Sequence, residues 1–253
     1  MSKVQSKQFT LISRVSARQS FIKFCYFTIC LVLLGCGKSE KEKKSKKTTS
    51  DEKSESTTPT DSTCTKTILC FGDSITAGFG LDDTNDAYPN LLQQKIDSLG
   101  LNYTVVNSGV SGETSAGGES RISWVLNQEV DIFLLELGAN DGLRGVALSE
   151  TKSNLRSIIN TVKEKSPDTK IILAGMQLPP NMGKDYTSKF RQLYSDLAEK
   201  NDVEFLPFIL KDVGGIEDLN QDDGIHPNKK GHKIVADNVW EVLKPMITDK
   251  KTS

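Results

Sequence analysis

Histidine is scarce in this chain: only His226 and His232 occur in 253 residues. The five cysteines contain no Cys-x-x-Cys pair, and no His-Glu-x-x-His pattern exists. The familiar metal-ligand spacings are therefore excluded, and neither a metal nor another cofactor is expected. A Gly-x-Ser-x-Gly pentapeptide is also missing, which argues against the nucleophile elbow of an α/β-hydrolase, and there is no P-loop. The apolar run from Phe24 to Gly35 has only 12 residues, too few to span a bilayer comfortably as a helix.

That short run has its own logic. Residues 1–23 carry Lys3, Lys7, Arg14, Arg18 and Lys23 without an acidic residue, and the apolar segment that follows stops at Cys36. A charged start and a short apolar stretch suit a signal peptide better than an anchor. Leu33-Leu34-Gly35-Cys36 resembles the lipobox of bacterial lipoproteins, in which the cysteine becomes the acylated first residue; an ordinary signal peptide with an incidental cysteine is the plainer alternative. From Gly37 to Thr63 no aliphatic or aromatic side chain occurs, so this stretch has nothing to bury and is expected to be a disordered tether. Its span is on the order of 30 Å, and its lysines and acids nearly cancel, which argues against a nucleic-acid arm. The expected organisation is a signal segment 1–35, a lipidated Cys36 with a polar tether to 63, one domain over 64–248 and a polar tail 249–253. The expected location is a bacterial cell envelope, lipid-anchored and periplasmic or surface-facing. Cys64 and Cys70, which remain after processing, would lie nearly 20 Å apart on an extended segment, at roughly 3.3 Å per residue, and are expected to stay unbridged.

Beyond the tether the pattern alternates. Thr67–Phe71, Tyr103–Val106, Ile132–Leu137, Ile171–Ala174 and Val203–Leu206 are short apolar runs suited to buried parallel strands. Between them lie helical stripes: Leu91, Leu92, Ile96 and Leu99; Leu155, Ile158, Ile159 and Val162; Phe190, Leu193, Tyr194 and Leu197. Val235, Val239, Val242, Leu243 and Met246 close the chain. Alternation of this kind implies an α/β fold with a parallel sheet of five strands between helical layers, and ligands bind at the carboxyl ends of such strands.

The loops at those ends hold a serine, glycine-rich backbone, an asparagine and an Asp-x-x-His: GDSITAGFGL (Gly72–Leu81), NSGVSGETS (Asn107–Ser115), LGANDGLRG (Leu137–Gly145) and QDDGIHPN (Gln221–Asn228). These are the parts of acyl transfer by an activated serine. In order and across the whole domain they resemble the four blocks of the SGNH (GDSL) hydrolases, nearest the bacterial multifunctional thioesterase, lysophospholipase and arylesterase subgroup. The resemblance implies the flavodoxin-like α/β/α fold of that family and no cofactor. It also implies Ser74 as nucleophile, His226 as its base and Asp223 as the group that orients the imidazole, with Asp222 a weaker rival. The oxyanion donors it implies are the backbone N–H groups of Ser74 and Gly112 and the side-chain amide of Asn140. Losing one such donor typically costs roughly 3–4 kcal/mol. Gly112 is expected to be glycine because a side chain would crowd the substrate carbonyl. Asp73 and Asp141 are expected to support turns, and His232 to be a surface side chain.

Alternatives stay open at this point. Asn140 in GAND suits a simple turn, and DGIHP suits the turn before a helix. Carboxylate-pair chemistry on Asp73 and Asp141 would leave His226 unexplained. By the same resemblance Leu143 and Arg144 of GLRG, with Leu178 and Pro179 of the Leu178–Met182 loop, are expected to bind substrate. A fatty acyl or aryl ester, lysophospholipid or thioester is expected to be that substrate. The runner-up is carbohydrate O-deacetylation, and a non-catalytic lipid- or glycan-binding surface lipoprotein is the alternative of another class. The expected partners are the ester or lipid substrate and, through the anchor, a membrane; no nucleic acid is expected, and the domain is expected to be a monomer.

Overall fold

A computed structural model describes residues 65–248. The expected signal segment, Cys36, the tether, Cys64 and the tail 249–253 lie outside the described residues. Five strands form one parallel sheet: β1 (Lys66–Gly72), β2 (Tyr103–Gly109), β3 (Ile132–Glu136), β4 (Lys170–Ala174) and β5 (Glu204–Leu206). Each coincides with an apolar run of the sequence. β2 continues past Val106 to Gly109, while Leu137 and Val203 fall just outside β3 and β5. Strands this apolar need cover on both faces, and Leu69, Cys70, Phe71, Phe133 and Leu135 are fully buried. Cys70 is a free thiol, pushed up to about 12 by burial, and so behaves as a core residue.

Among the described residues seven α-helices accompany the sheet: α1 (Ser74–Ala77), α2 (Tyr88–Ser98), α3 (Ser115–Val125), α4 (Ala139–Leu143), α5 (Leu148–Lys165), α6 (Lys184–Asn201) and α7 (Lys229–Thr248). α2 packs on α7, whereas α3 packs on α5 and α5 on α6, which makes the outer two of three layers. The stripe Leu155, Ile158, Ile159 and Val162 on α5 has no solvent exposure. Each such side chain contributes about 1.5–3 kcal/mol relative to leaving it in water. Leu99 departs from its expected place in the α2 stripe. It caps the helix C-terminus in solvent, with half its surface exposed, because the helix ends at Ser98.

Among the helices longer than five residues, α3 has no counterpart in the apolar pattern. α3 reads SAGGESRISWV and buries few large side chains, Ile122 and Val125 among them. Its packing depends on what is missing: a Cβ on Gly118 would stand 2.3 Å from Leu137 Cδ1 and 3.1 Å from Phe71 Cε1. The glycine therefore lets the helix backbone approach the sheet closely.

The strand order is β2-β1-β3-β4-β5. Chain progression turns from one side of β1 to the other between β2 and β3, which is the crevice where ligands bind in doubly wound sheets. Ser74 follows β1 directly, and α4, which carries Asn140, follows β3.

Candidate active site

Ser74 opens α1, a four-residue helix whose cap is Asp73. Asp73 Oδ1 accepts the Ile75 N–H at 3.1 Å, so the acidic residue before the serine fixes the turn that presents it. His226 reaches the serine from the connection between β5 and α7. That connection is tied down locally: the Gln221 N–H donates to the His226 carbonyl at 2.8 Å, Asn220 and Pro227 form an isolated bridge, and Asn228 Oδ1 accepts the N–H groups of Lys230 and Gly231. Pro227 and Asn228 thus precede α7, and the Asn228 side chain caps it. The Gln221 side chain donates to the Phe79 carbonyl at 2.6 Å, which links the serine loop to the histidine loop.

The resulting contacts form a chain. His226 Nε2 lies 2.9 Å from Ser74 Oγ, and Nδ1 lies 2.5 Å from Asp223 Oδ2. Asp223 Oδ1 accepts the N–H groups of Ile225 and His226, each at 3.0 Å. Burial alone would raise the Asp223 carboxyl, but its bonds to His226 and to the two backbone amides bring it below the usual range. The Phe79 ring lies 4.8 Å from the imidazole and limits its movement. Asp222, the rival, is exposed, and Asp223 takes the imidazole bond.

The expected oxyanion donors divide into two kinds. Among the described residues, the N–H groups of Ser74 and Gly112 have no acceptor. The Asn140 amide is engaged twice, donating to Asp73 Oδ2 at 3.1 Å and to the Glu113 carbonyl at 3.0 Å. Gly112 has a φ of +78°, while an added Cβ would meet nothing closer than Arg144 Nη2 at 3.7 Å. Left-handed backbone, not crowding by the protein, therefore requires glycine here. Its loop is clamped by Arg121, which pairs in fork fashion with Glu113 (Nε to Oε1 2.7 Å, Nη2 to Oε2 2.6 Å) and lies 3.8 Å from the Phe71 ring centre.

Arg144 differs from expectation. It lines no part of the groove beside Ser74, and its Nη2 donates to the Gly112 carbonyl at 2.9 Å. The guanidinium reaches back over the SGET loop because that carbonyl is its acceptor, so Arg144 positions a donor loop. Leu143, Leu178 and Pro179 do line the groove, a cavity of about 390 Å³ that opens on Ser74, Asn140 and His226. Met176, Phe208, Leu210 and Gly214, which sequence reasoning did not select, are also part of its wall. Met176 precedes the Leu178–Met182 segment, and Phe208, Leu210 and Gly214 lie upstream of the QDDGIHPN block in the connection after β5, in stretches with no motif to mark them.

Behind the serine lies a buried acid pair that the sequence did not announce. Glu136, at the end of β3, accepts the Asp73 N–H at 3.2 Å and the Thr76 hydroxyl at 2.7 Å through Oε2, and Thr76 Oγ1 is 2.9 Å from the Tyr88 hydroxyl. Burial and the neighbouring Asp73 charge drive Glu136 well above the carboxylate range. Burial likewise pushes Asp73 up to about 6. Asp141 is buried too, and accepts the N–H and hydroxyl of Ser115, tying α4 to α3 as a turn support.

His232 is not a surface residue. It is 1% exposed, and its Nδ1 accepts the Tyr88 N–H at 3.2 Å. Helix α7 turns it onto α2, where burial lowers it to about 4. These shifts oppose each other. The raised Asp73 favours the protonated form in the fold, so its contribution is complete below about 3.8 and is lost as pH rises through about 6. The lowered His232 contributes fully above 6.5 and loses that contribution as pH falls toward 4. In chemical denaturation, His232→Gln should leave a protein that weakens as pH rises from 4 to 6. Asp73→Asn should leave one that weakens as pH falls. Identical pH slopes in both variants would contradict these assignments.

With the geometry described, the comparisons with known proteins are direct. The model of the GDSL-like Lipase/Acylhydrolase family matches residues 70–234. The chain is 40% identical over 183 residues to Esterase TesA of Pseudomonas aeruginosa, covering 72% of this chain and 90% of that protein. It is 37% identical over 182 residues to a protein of Escherichia coli named thioesterase 1/protease 1/lysophospholipase L1, covering 72% and 85%. The crystal structure of the psychrotrophic esterase EstA from Pseudoalteromonas, inhibited by monoethylphosphonate, superposes with a TM-score of 0.68 at 32% identity, covering 73% of this chain and all of that one. A parallel five-stranded sheet with the family's serine, glycine, asparagine and histidine loops at its carboxyl edge leaves one assignment: the chain belongs to the GDSL-like lipase/acylhydrolase family and is an ester hydrolase of the SGNH type.

Proposed function

We propose that the enzyme hydrolyses lysophospholipid, fatty acyl or aryl esters and thioesters through an acyl-enzyme on Ser74. The observation that carries the substrate class is the groove: about 390 Å³, walled mainly by Leu143, Met176, Leu178, Pro179, Phe208 and Leu210, and opening on the serine. An acyl or aryl group buries apolar surface there, and the groove falls within the ordinary size of a small-molecule site, roughly 300–1,000 Å³.

The chemistry follows from the contacts. Ser74 Oγ attacks the ester carbonyl carbon as His226 Nε2, 2.9 Å away, takes its proton. The imidazolium is stabilised by Asp223 at Nδ1. The carbonyl oxygen becomes negative and receives the N–H groups of Ser74 and Gly112, whose backbone donors are otherwise unused among the described residues. Asn140 joins them by releasing the Asp73 carboxylate, the one of its two acceptors whose residue lines the groove. The alcohol or thiol leaves with the proton from His226, and water, deprotonated by the same nitrogen, hydrolyses the acyl-serine.

The proposal includes an envelope location through an acylated Cys36, supported by the lipobox-like Leu33-Leu34-Gly35-Cys36. The test is hydrolysis of p-nitrophenyl esters from acetyl to palmitoyl, alongside a lysophospholipid, with fractionation of Cys36→Ser protein. Rates should peak at medium or long chains, and the variant should leave the membrane fraction. Activity confined to acetyl would move the assignment to a carbohydrate O-deacetylase. No turnover of any ester would support a binding protein, and unchanged partitioning would remove the anchor.

A further inference from the structure

Large apolar side chains that remain in solvent are unevenly placed on this domain. The described residues expose seven: Phe79, Leu99, Val110, Trp124, Leu143, Ile216 and Ile225. Leu99 and Trp124 lie at the C-terminal ends of α2 and α3, helices that run back to the amino edge of the sheet. The other five all sit on connections that follow the carboxyl ends of strands. Phe79 lies against the His226 ring, Leu143 and Ile225 line the groove, Ile216 follows the groove residue Gly215, and Val110 stands two residues before Gly112. Their exposures run from 40% to 49%. Leaving one such side chain in water is ordinary; Phe79, Leu143 and Ile225 gathered at one cavity, with Ile216 next to its lining residue Gly215 and Val110 on the same edge of the sheet, mark an interaction surface.

The geometry points to a docking rim: the carboxyl edge of the sheet seats on the surface of an aggregated zwitterionic ester lipid, so that an acyl chain passes from the aggregate into the groove. This rests on the lipid-ester reading above and extends it to how substrate is presented. Two features commit the rim to that occupant. The rim is continuous with the groove, because Leu143 and Ile225 belong to both. Its charge is wrong for an anionic membrane, since the connections and helix starts at this edge expose Asp82, Asp83, Glu150, Asp185, Asp212, Glu217, Asp218, Asp222 and Asp223 against Arg144, Lys184, Lys211, Lys229 and Lys230. Such acids are repelled by a negative lipid surface within about a Debye length, about 8 Å at physiological salt.

Ile216 provides the clean probe, because it is 44% exposed and outside the groove lining. The experiment uses the full chain with Cys36→Ser, so that no acyl group on that cysteine contributes. Ile216→Ser is compared with Trp124→Ser, the exposed residue at the other edge. Turnover is read on a short-chain p-nitrophenyl ester dissolved as monomer and on a long-chain ester in phosphatidylcholine vesicles. Flotation with phosphatidylcholine and with phosphatidylglycerol vesicles reads binding. Ile216→Ser should leave the monomer rate unchanged within about twofold and lower the vesicle rate by on the order of tenfold, as expected for one large aliphatic side chain removed from apolar contact. Trp124→Ser should change neither rate, and phosphatidylglycerol should bind less protein at low salt. Equal losses in the two variants, no loss on vesicles, or preference for the anionic vesicle would overturn the rim while leaving Ser74 chemistry intact. Rim-dependent flotation without hydrolysis of any ester would leave the rim standing and remove the esterase reading beneath it.

Discussion

Ser74→Ala protein is expected to lose about 10⁶-fold in kcat for ester hydrolysis and to keep its stability. The two halves of that expectation come from the same contacts. Ser74 Oγ bonds to His226 Nε2 at 2.9 Å and approaches Asp73 Oδ1 only at 3.5 Å, the limit of a hydrogen bond. Removing the oxygen therefore removes the nucleophile and little else. The turn that presents it depends on other atoms: the Asp73 carboxylate that caps α1, and Glu136, which accepts the Asp73 N–H. The variant should unfold at the denaturant midpoint of the wild type, within experimental error. A serine-directed phosphonate should label the wild type once, at Ser74, and the variant not at all. Retention of more than about a tenth of the rate, or a label elsewhere on active protein, would sink the assignment.

Asp223→Asn should lower kcat by about 10⁴-fold with little change in KM. Asp223 uses its two oxygens differently: Oδ1 takes the N–H groups of Ile225 and His226, and Oδ2 faces the imidazole Nδ1 at 2.5 Å. An asparagine keeps the first arrangement with its carbonyl, which turns its NH₂ toward Nδ1. Nδ1 must then accept, so Nε2 carries the proton and donates to Ser74, the reverse of what a base requires. The groove is untouched, which is why KM should hold. Asp222→Asn, by contrast, should stay within about twofold, because Asp222 is exposed and the imidazole is already taken by its neighbour. Matching losses in the two variants would return the choice between them to open competition.

The parts of this molecule legible in its sequence are those whose physics is local. Asp223 and His226 are three residues apart, and a turn with Gly224 at φ +71° is enough to bring carboxylate and ring together. The apolar runs became strands and the stripes of α5 and α6 became buried faces, since each pattern repeats within one element. The family blocks lie at strand ends for the same reason, and strand-helix alternation by itself dictates a parallel sheet.

Contacts between distant residues were decided by the tertiary structure. Ser74 and His226 are separated by 152 positions, and Asn140 and Asp73 by 67; only the order β2-β1-β3-β4-β5 sets them at one crevice. His232 looks like any polar residue on a helix until α7 packs on α2 and the Tyr88 N–H claims its ring. Arg144 sits in the segment expected to bind substrate, yet a backbone carbonyl 32 residues away captures it. Glu136 reads as one acid in an apolar strand, and its role under Asp73 exists only once β1 and β3 pair, with Gly72 opposite Glu136. What the sequence by itself determined was the chemistry and the elements that carry it, because motif and periodicity are short-range. Which groups are buried, paired or left at the rim was settled by packing, where each residue's partner comes from a different part of the chain.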